Sequence, residues 1–380
     1  MRVTLSVIKA DVGSIGGHTK PGDTMVQSCE DLMRQAKTSG LLIDGIVTYT
    51  GDDLCLIMSH TLGKGASLIH LFAWNVFKEA TRIAKHYGFY GAGQDLLVDA
   101  PSGNVRGAGP AVAETEFELL PNHRPAEAFL VFAADKCGPG AYNFALWNTL
   151  CNPMRNGGLL LSPKLFLGFT ATVIDMDHKD KNTDRIIKIN TAEGLGHIKL
   201  AALLRNIDRF AIEAAYSNAY PNEQFVSVSA TRLHNIAGKY TGKDDPIMIV
   251  RTQGIFSATE EVVEPFKDCP FVTGDCRGSH TMALMPVSIQ TPVRGGYCQP
   301  IVSCLAFSMN QNGQFTEEEI DIFEGLEWEE ARQKALAKSS YMREQGFFGV
   351  AMASEEEIAY TGLVERMKEL YPRFEIRKNE

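Results

Sequence analysis

Tyr240-Thr-Gly-Lys-Asp-Asp-Pro-Ile-Met-Ile-Val-Arg251 sets a phenol, an amine and two adjacent carboxylates directly ahead of a short apolar strand. Gly242 and Pro246 punctuate the run and aspartate is a favoured turn residue, so taken alone it also reads as an ordinary polar turn. Other strands of the chain also carry aspartates at one end, and that repetition gives the stretch its weight.

The opening Arg2-Val-Thr-Leu-Ser-Val-Ile-Lys9 alternates as a strand and leads to Asp11 and, across a loop with three glycines, to His18. Glycines there let backbone approach a ligand closely, although a loop histidine also serves as a hydrogen-bonded surface group. The segment Leu41 to Tyr49 predicts a second strand, followed by Thr50-Gly-Asp-Asp-Leu-Cys-Leu-Ile-Met-Ser-His60. Asp52 and Asp53 stand at the mouth of that apolar run, where neighbouring side chains point to opposite faces, so one pair could serve two metals or simply close a hairpin. A third apolar strand, Ala128 to Ala134, delivers Asp135-Lys136 ahead of Cys-Gly-Pro-Gly.

Between these strand mouths the pattern predicts a helix at 29–37. Another is expected over Ser67 to Tyr87, with Ile69, Phe72, Ala73, Val76, Phe77, Ala80, Ile83 and Ala84 on one apolar stripe. Gly63-Lys-Gly-Ala-Ser67 lacks the order of a phosphate-binding P-loop and is rejected as one. Gly88 to Pro110 reads as a long glycine-rich loop carrying Tyr90, Gln94, Asn104 and Arg106. Further on we expect strands within 159–190 separated by a charged hairpin at His178 to Asp184, a helix from Ala192 to Tyr216, and a strand at Phe225 to Ala230. Arg277 follows in a glycine-flanked loop suited to phosphate or to a surface salt bridge. Strands at Met282 to Ile289 and Ile301 to Phe307 and helices at 316–345 and 354–370 complete the chain. No repeat, low-complexity segment or linker divides it, which favours one integrated domain over 1–380.

The chain has 380 residues and a net charge of −9, which argues against a nucleic-acid or anionic-membrane surface and favours small-molecule partners. No apolar run approaches the roughly 20 residues of a spanning helix, and the strand at the N-terminus leads us to expect a cytoplasmic protein. The eight cysteines show no metal-ribbon or CxxC spacing and are expected to be reduced and mostly structural.

Collected, Asp11, His18, Asp52, Asp53, Gln94, Asp135, Asp244 and Asp245 are oxygen donors with a single imidazole. Such a set suits hard cations, chiefly Mg²⁺, and carboxylates this close need more than one ion between them. Paired ions with Lys136 and Arg277 spell phosphate-ester hydrolysis. Lys243 does not fit that chemistry alone. Beside two aspartates it is held protonated, unless ions take the carboxylates and let the amine attack a ketone, with Tyr240 as a proton shuttle.

At this point the motifs resemble the archaeal-type bifunctional fructose-1,6-bisphosphate aldolase/phosphatase family. They are Ser6-Val-Ile-Lys-Ala-Asp11 with His18, Gly51-Asp-Asp53, Tyr90-Gly-Ala-Gly-Gln-Asp-Leu-Leu97, Ser102-Gly-Asn-Val-Arg-Gly107, Ala134-Asp-Lys136, Gly242-Lys-Asp-Asp-Pro246 and Arg277-Gly-Ser-His280. The resemblance implies an α+β fold, a four-layer α-β-β-α sandwich assembling as a homo-octamer. It implies condensation of dihydroxyacetone phosphate with glyceraldehyde 3-phosphate, then hydrolysis of the C1 phosphate to fructose 6-phosphate. By the same likeness Lys243 is the Schiff-base lysine, Tyr240 its proton donor or acceptor, and the eight collected groups the ligands of several Mg²⁺ ions. His18, Tyr90, Gly103, Asn104, Lys136, Gln253, Gly254, Arg277 and Tyr360 would hold the sugar phosphate. Gly296-Tyr-Cys-Gln-Pro300 departs from the family's Phe-Asp-Gly-Pro-Pro, and Ala359-Tyr-Thr-Gly362 from its Glu-Tyr-Thr-Thr. The alternatives are a Mg²⁺-dependent phosphatase for a related sugar phosphate with little aldolase activity, and a catalytically silent oligomeric binding protein.

Overall fold

A computed structural model describes residues 1–96, 109–122, 126–178, 184–230, 242–274, 281–294 and 299–344. Strands β1 (Arg2–Asp11), β2 (Asp44–Thr50), β3 (Asp53–His60) and β4 (Ala111–Glu118) form an antiparallel sheet in the order β2-β3-β1-β4. Alternation along β1 divides its side chains between two cores. Ile8 and Ala10, with Leu54, Leu56 and Met58 of β3, pack on helices α1 (Asp23–Thr38) and α2 (Ser67–Tyr87). Val3, Leu5 and Val7 face the other way.

Helix α1 begins six residues before the expected start. Its first turn carries Asp23, whose charge complements the positive end of the helix. Helix α2 has the expected bounds, and its predicted stripe is the face buried on the sheet, with Phe72 only partly covered. Gly88 ends it in the left-handed region at φ 68°, its N–H capping the carbonyls of Ala84 and Lys85. Within the rejected P-loop segment, the Gly65 N–H donates to Glu114 Oε2 over 2.6 Å, so this amide is directed at a protein carboxylate.

The second sheet is larger. It contains β5 (Glu127–Asp135), β6 (Phe169–Asp175), β7 (Ile186–Asn190), β8 (Phe210–Ser217), β9 (Gln224–Val228) and β10 (Ile247–Thr252). A small ladder of β11 (Phe271–Thr273) with β12 (Thr281–Ala283) stands apart. β13 (Met285–Pro286), β14 (Ile301–Met309) and β15 (Ile320–Asp321) return to the large sheet, whose order is β13-β14-β5-β10-β9-β8-β6-β7, with β15 on β14.

One face of this sheet presents Phe129, Val131, Ile249 and Phe307 to Val3, Leu5, Val7 and Ile57 of the first. The other face buries Phe132, Val226 and Met248 under helices α3 (Asn143–Cys151), α5 (Gly196–Leu204) and α7 (Glu329–Glu344). The single-turn helix α4 (Gly158–Leu161) and α6 (Thr259–Val263) lie between them in sequence. The result is the four-layer α-β-β-α sandwich. Each fully buried phenylalanine of these cores contributes about 2–3 kcal/mol by leaving water.

Several expected elements differ. Residues 192–216 are not one helix: α5 ends at Leu204, a turn follows, and β8 pairs with β6 and β9. The alanines of Phe210-Ala-Ile-Glu-Ala-Ala-Tyr216 favour helix locally, but pairing between two strands overrides that propensity. The region from 159 opens as α4 rather than a strand, with β6 and β7 following as expected. Met282 to Ile289 is broken into β12 and β13, because Leu284 N–H turns to the Pro270 carbonyl and Pro286 has no N–H to donate to a ladder. The helix expected from 316 begins only at Glu329, after β15 and Gly325, which sits at φ 104°. The expected helix at 354–370 and most of the charged hairpin lie outside the described residues.

Arg251, which closes the opening stretch, is wholly buried at the end of β10. Its guanidinium pairs with Glu127 Oε1 at 2.9 Å and Glu223 Oε2 at 2.7 Å, between the rings of Phe117 and Phe256. Full pairing is what makes a buried charge tolerable there. Six cysteines are free thiols, five of them buried; Cys276 and Cys298 fall outside the described residues. Among the described residues no helix is long and apolar enough to cross a membrane.

Candidate functional site

The acidic strand mouths meet because of register. β1 and β3 run antiparallel with Asp11 opposite Asp53, so the end of one strand and the start of the next share an edge of the small sheet. β5 and β10 are antiparallel with Ala133 opposite Ile247, which brings the end of β5, Asp135, beside the approach to β10 at Asp245. The two edges come together at Gly51. This residue adopts φ +59°, and a Cβ on it would lie 1.5 Å from Asp135 Oδ2, so only glycine fits.

Two ligand groups result, each with donor atoms within 4.8 Å of one another: Asp11, His18 and Asp52, and Asp53, Asp135 and Asp245. Adjacent Asp52 and Asp53 divide between them. Lys136 joins the groups, its ammonium paired with Asp52 Oδ1 and 2.9 Å from Asp135 Oδ1, the latter an ion pair without hydrogen-bond geometry. His18 Nδ1 lies 3.0 Å from Asp52 Oδ2, and its ring meets Tyr90 edge-on at 4.9 Å. His18 is partly exposed and Tyr90 exposed, so this pair forms the rim.

Lys243 is buried beside the second group. It donates to Asp244 Oδ1 over 2.8 Å, and its Nζ is 3.9 Å from Asp95 Oδ2. Asp95 in turn accepts the N–H groups of Asp11 and Gly109. Lys136 at φ 64° and Asp245 at φ 47° both hold left-handed backbone, a conformation that costs on the order of 1–3 kcal/mol and concentrates at functional sites.

Seven carboxylates, Asp11, Asp52, Asp53, Asp95, Asp135, Asp244 and Asp245, gather around three ammonium groups, Lys9, Lys136 and Lys243. Fully ionised they leave an excess of four negative charges. Burial, and then the neighbouring Asp53 and Asp244, push Asp245 up to about 7. Burial also lifts Asp95 to about 6 against the pull of Lys243. Asp11 and Asp135 are raised well above the usual carboxylate range, first by burial and then by charged neighbours. Burial acts on Asp52 too, but Lys136 and His18 together outweigh it and hold this carboxyl low. For Lys243, burial is outweighed by Asp244, Asp95, Asp245 and Asp53, so the amine is held protonated.

The residues fit hard divalent cations. Two such ions would balance the four-charge excess, the donors are almost all oxygens, and Gln94 Oε1 is buried with no hydrogen-bond partner among the described residues. An expected result follows for pH. Carboxylates raised on folding bind protons that the unfolded chain releases, so in chelator their stabilising contribution is full below about pH 4 and is lost as pH rises through about 6 to 7. Ions bind the deprotonated groups, so Mg²⁺ should flatten or invert that decline. Melting curves from pH 5.5 to 7.5 in EDTA and in Mg²⁺ check this, and equal slopes in both would count against it.

Not every expected residue joins the centre. Gln253 and Gly254 are exposed at the opposite end of β10, about 20 Å from Asp245 at the rise of a strand. Tyr240, Gly103, Asn104, Arg277 and Tyr360 lie outside the described residues. Gln299, in the departing segment, is buried and donates to the Ala283 carbonyl. Two members were missed from sequence. Lys9 continues the inward register of Val3, Leu5 and Val7, a period-2 signal that could have exposed it. Asp95 had no such signal, because its place depends on N–H groups from distant segments.

Fold and site together describe an α-β-β-α sandwich with an acidic, lysine-bearing centre where its two sheets meet. The family model described as Fructose-1,6-bisphosphatase matches residues 2–375, and the chain belongs to that family. A relative from Thermus thermophilus named fructose-1,6-bisphosphate aldolase/phosphatase is 48% identical over 374 residues, covering 98% of this chain and 100% of the relative. Relatives of the same name from Cenarchaeum symbiosum and Methanothermobacter marburgensis are 42% and 39% identical, covering 95% and 99% of this chain and 91% and 99% of their own lengths.

Proposed function

We propose that this chain is a bifunctional gluconeogenic enzyme, a fructose-1,6-bisphosphate aldolase and phosphatase acting as one integrated unit. It condenses dihydroxyacetone phosphate with glyceraldehyde 3-phosphate through a Schiff base on Lys243, then hydrolyses the C1 phosphate of fructose 1,6-bisphosphate. The observation that carries this reading is the burial of Lys243 beside Asp244 and the Asp53, Asp135 and Asp245 group, which the adjacent Asp52 and Asp53 link to the Asp11, His18 and Asp52 group. An amine for carbon–carbon chemistry and carboxylates for phosphoryl chemistry are thereby within one centre.

Asp11, His18, Asp52, Asp53, Gln94, Asp135, Asp244 and Asp245 are the residues we assign to several Mg²⁺ ions per subunit. Bound ions would polarise the phosphoryl group and acidify an attacking water. For condensation, Lys243 must first lose its proton. Withdrawal of the Asp244 charge favours that loss, because the carboxylates are what hold the amine protonated. The free amine adds to the ketone and water leaves; Tyr240 takes the proton released as the new carbon nucleophile forms. This carbon attacks the aldehyde, whose oxygen takes the proton back from Tyr240, and water then hydrolyses the imine to release the product and the free Lys243 amine. Lys136 is placed to exchange Asp52 and Asp135 for a substrate phosphate, and His18 and Tyr90 to receive the sugar at the rim. Gly103, Asn104, Arg277 and Tyr360 complete the anion site in this reading. Gln253 and Gly254 serve it only from a neighbouring chain, in keeping with a homo-octamer working in the cytoplasm.

A coupled assay tests the proposal. Triose phosphates with Mg²⁺ should yield fructose 6-phosphate and one phosphate per product. Phosphate release from a different sugar phosphate with no condensation would favour the narrower phosphatase, and no turnover of any sugar phosphate would leave a silent binding protein.

A further inference from the structure

Lys9 has no part in the chemistry above, yet it is the deepest cation of the centre, 1% exposed. Its side chain follows Val7 into the layer between the sheets. There the ammonium pairs with Asp53 Oδ2 and donates to the Ala134 carbonyl over 2.9 Å. One contact is to β3 of the small sheet and the other to β5 of the large one, directly before Asp135. Lys136 and Lys243 stand differently, since each must leave its carboxylates to meet substrate.

We infer that Lys9 is the fixed cation of the Asp53, Asp135 and Asp245 group, a positioning residue that ties the two sheets at their mouth and occupies one oxygen of Asp53, thereby limiting how much divalent charge the group takes. The inference rests on the ion-binding reading of that group. With Lys9 in place, Asp53 keeps a neutralising partner of its own, while Lys136 pairs with Asp52 and Asp135. Without it, Asp53 is a buried unpaired anion, which is destabilising by itself and more strongly attracts a divalent cation.

Lys9→Met keeps most of the length of the side chain and removes its charge. In EDTA its melting temperature should fall by at least about 5 °C. In a Mg²⁺ titration of thermal stability, its midpoint should lie at least about tenfold below that of the parent, with the gap in melting temperature narrowing as ions bind. Lys9→Arg should behave as the parent. An equal drop with and without Mg²⁺ would make Lys9 a spacer only, and a higher midpoint would make it an aid to ion binding; either overturns the inference. If Lys9→Met does not fold, the double variant Lys9→Met/Asp53→Asn decides. Recovery of a folded protein in EDTA supports charge pairing, and continued failure refutes it. A parent protein that no divalent ion stabilises would instead overturn the ion-binding reading, and this inference with it.

Discussion

Lys243→Met should lower condensation of the triose phosphates by on the order of 10⁴-fold while changing phosphate release from fructose 1,6-bisphosphate by less than about tenfold. The split is expected because the amine can act only on a carbonyl, whereas phosphoryl transfer calls on the carboxylate groups that the substitution leaves in place. Lys243 is 4% exposed and sits 2.8 Å from Asp244 Oδ1, so its removal also takes a cation from that carboxylate. Lys243→Arg separates the two effects, since it keeps a positive charge but offers no nucleophilic amine. Borohydride added with dihydroxyacetone phosphate should fix the parent at Lys243 and neither variant. A parent that gives no lysine adduct, or a variant that still condenses, would end the aldolase half of the reading.

Asp245→Asn should have the complementary effect, a loss of phosphate release by about 10³-fold with less Mg²⁺ bound per chain. Asparagine has nearly the shape of aspartate and tolerates the left-handed backbone at this position, φ 47°. It can still accept the Cys137 N–H that Asp245 Oδ1 receives over 2.9 Å. What it lacks is the charge. Measured with saturating Mg²⁺, a variant within tenfold of the parent would remove Asp245 from the ligand set. Counting bound ions by equilibrium dialysis shows separately whether any lost activity follows lost ions.

The two variants probe the adjacency of an amine and two carboxylates at 243–245. In Lys243-Asp244-Asp245, the first two side chains pair with each other, while Asp245 turns to Asp53 and Asp135. Left-handed backbone at Asp245 permits this turn, and the paired N–H and carbonyl contacts with Cys137 hold it. Neither the backbone reversal nor the partner at Cys137 is visible in the order of residues.

Local pattern was enough for much of the scaffold. The stripe from Ile69 to Ala84 specified α2 and the face it buries, because a period near 3.6 leaves one side of a helix apolar. The alternation of Arg2 to Lys9 specified β1 by a period of two. Pattern failed where pairing decided the outcome. Phe210 to Ser217 is strand because β6 and β9 flank it, against the helical preference of its alanines.

By itself, the sequence determined the acidic strand mouths and the lysine beside Asp244 and Asp245, since these follow from residue order, whereas Asp52 and Asp53 part because Asp52 lies in the turn that closes the β2–β3 hairpin and Asp53 begins β3. Only the tertiary structure decided which mouths meet. Antiparallel register set Asp11 against Asp53 and brought Asp135 to Asp245, and stacking of the sheets drove Lys9 across to Ala134. The physical reason is that a charge acts through distance in space: neighbours in the chain can face apart, and residues more than 100 positions apart can share one ion.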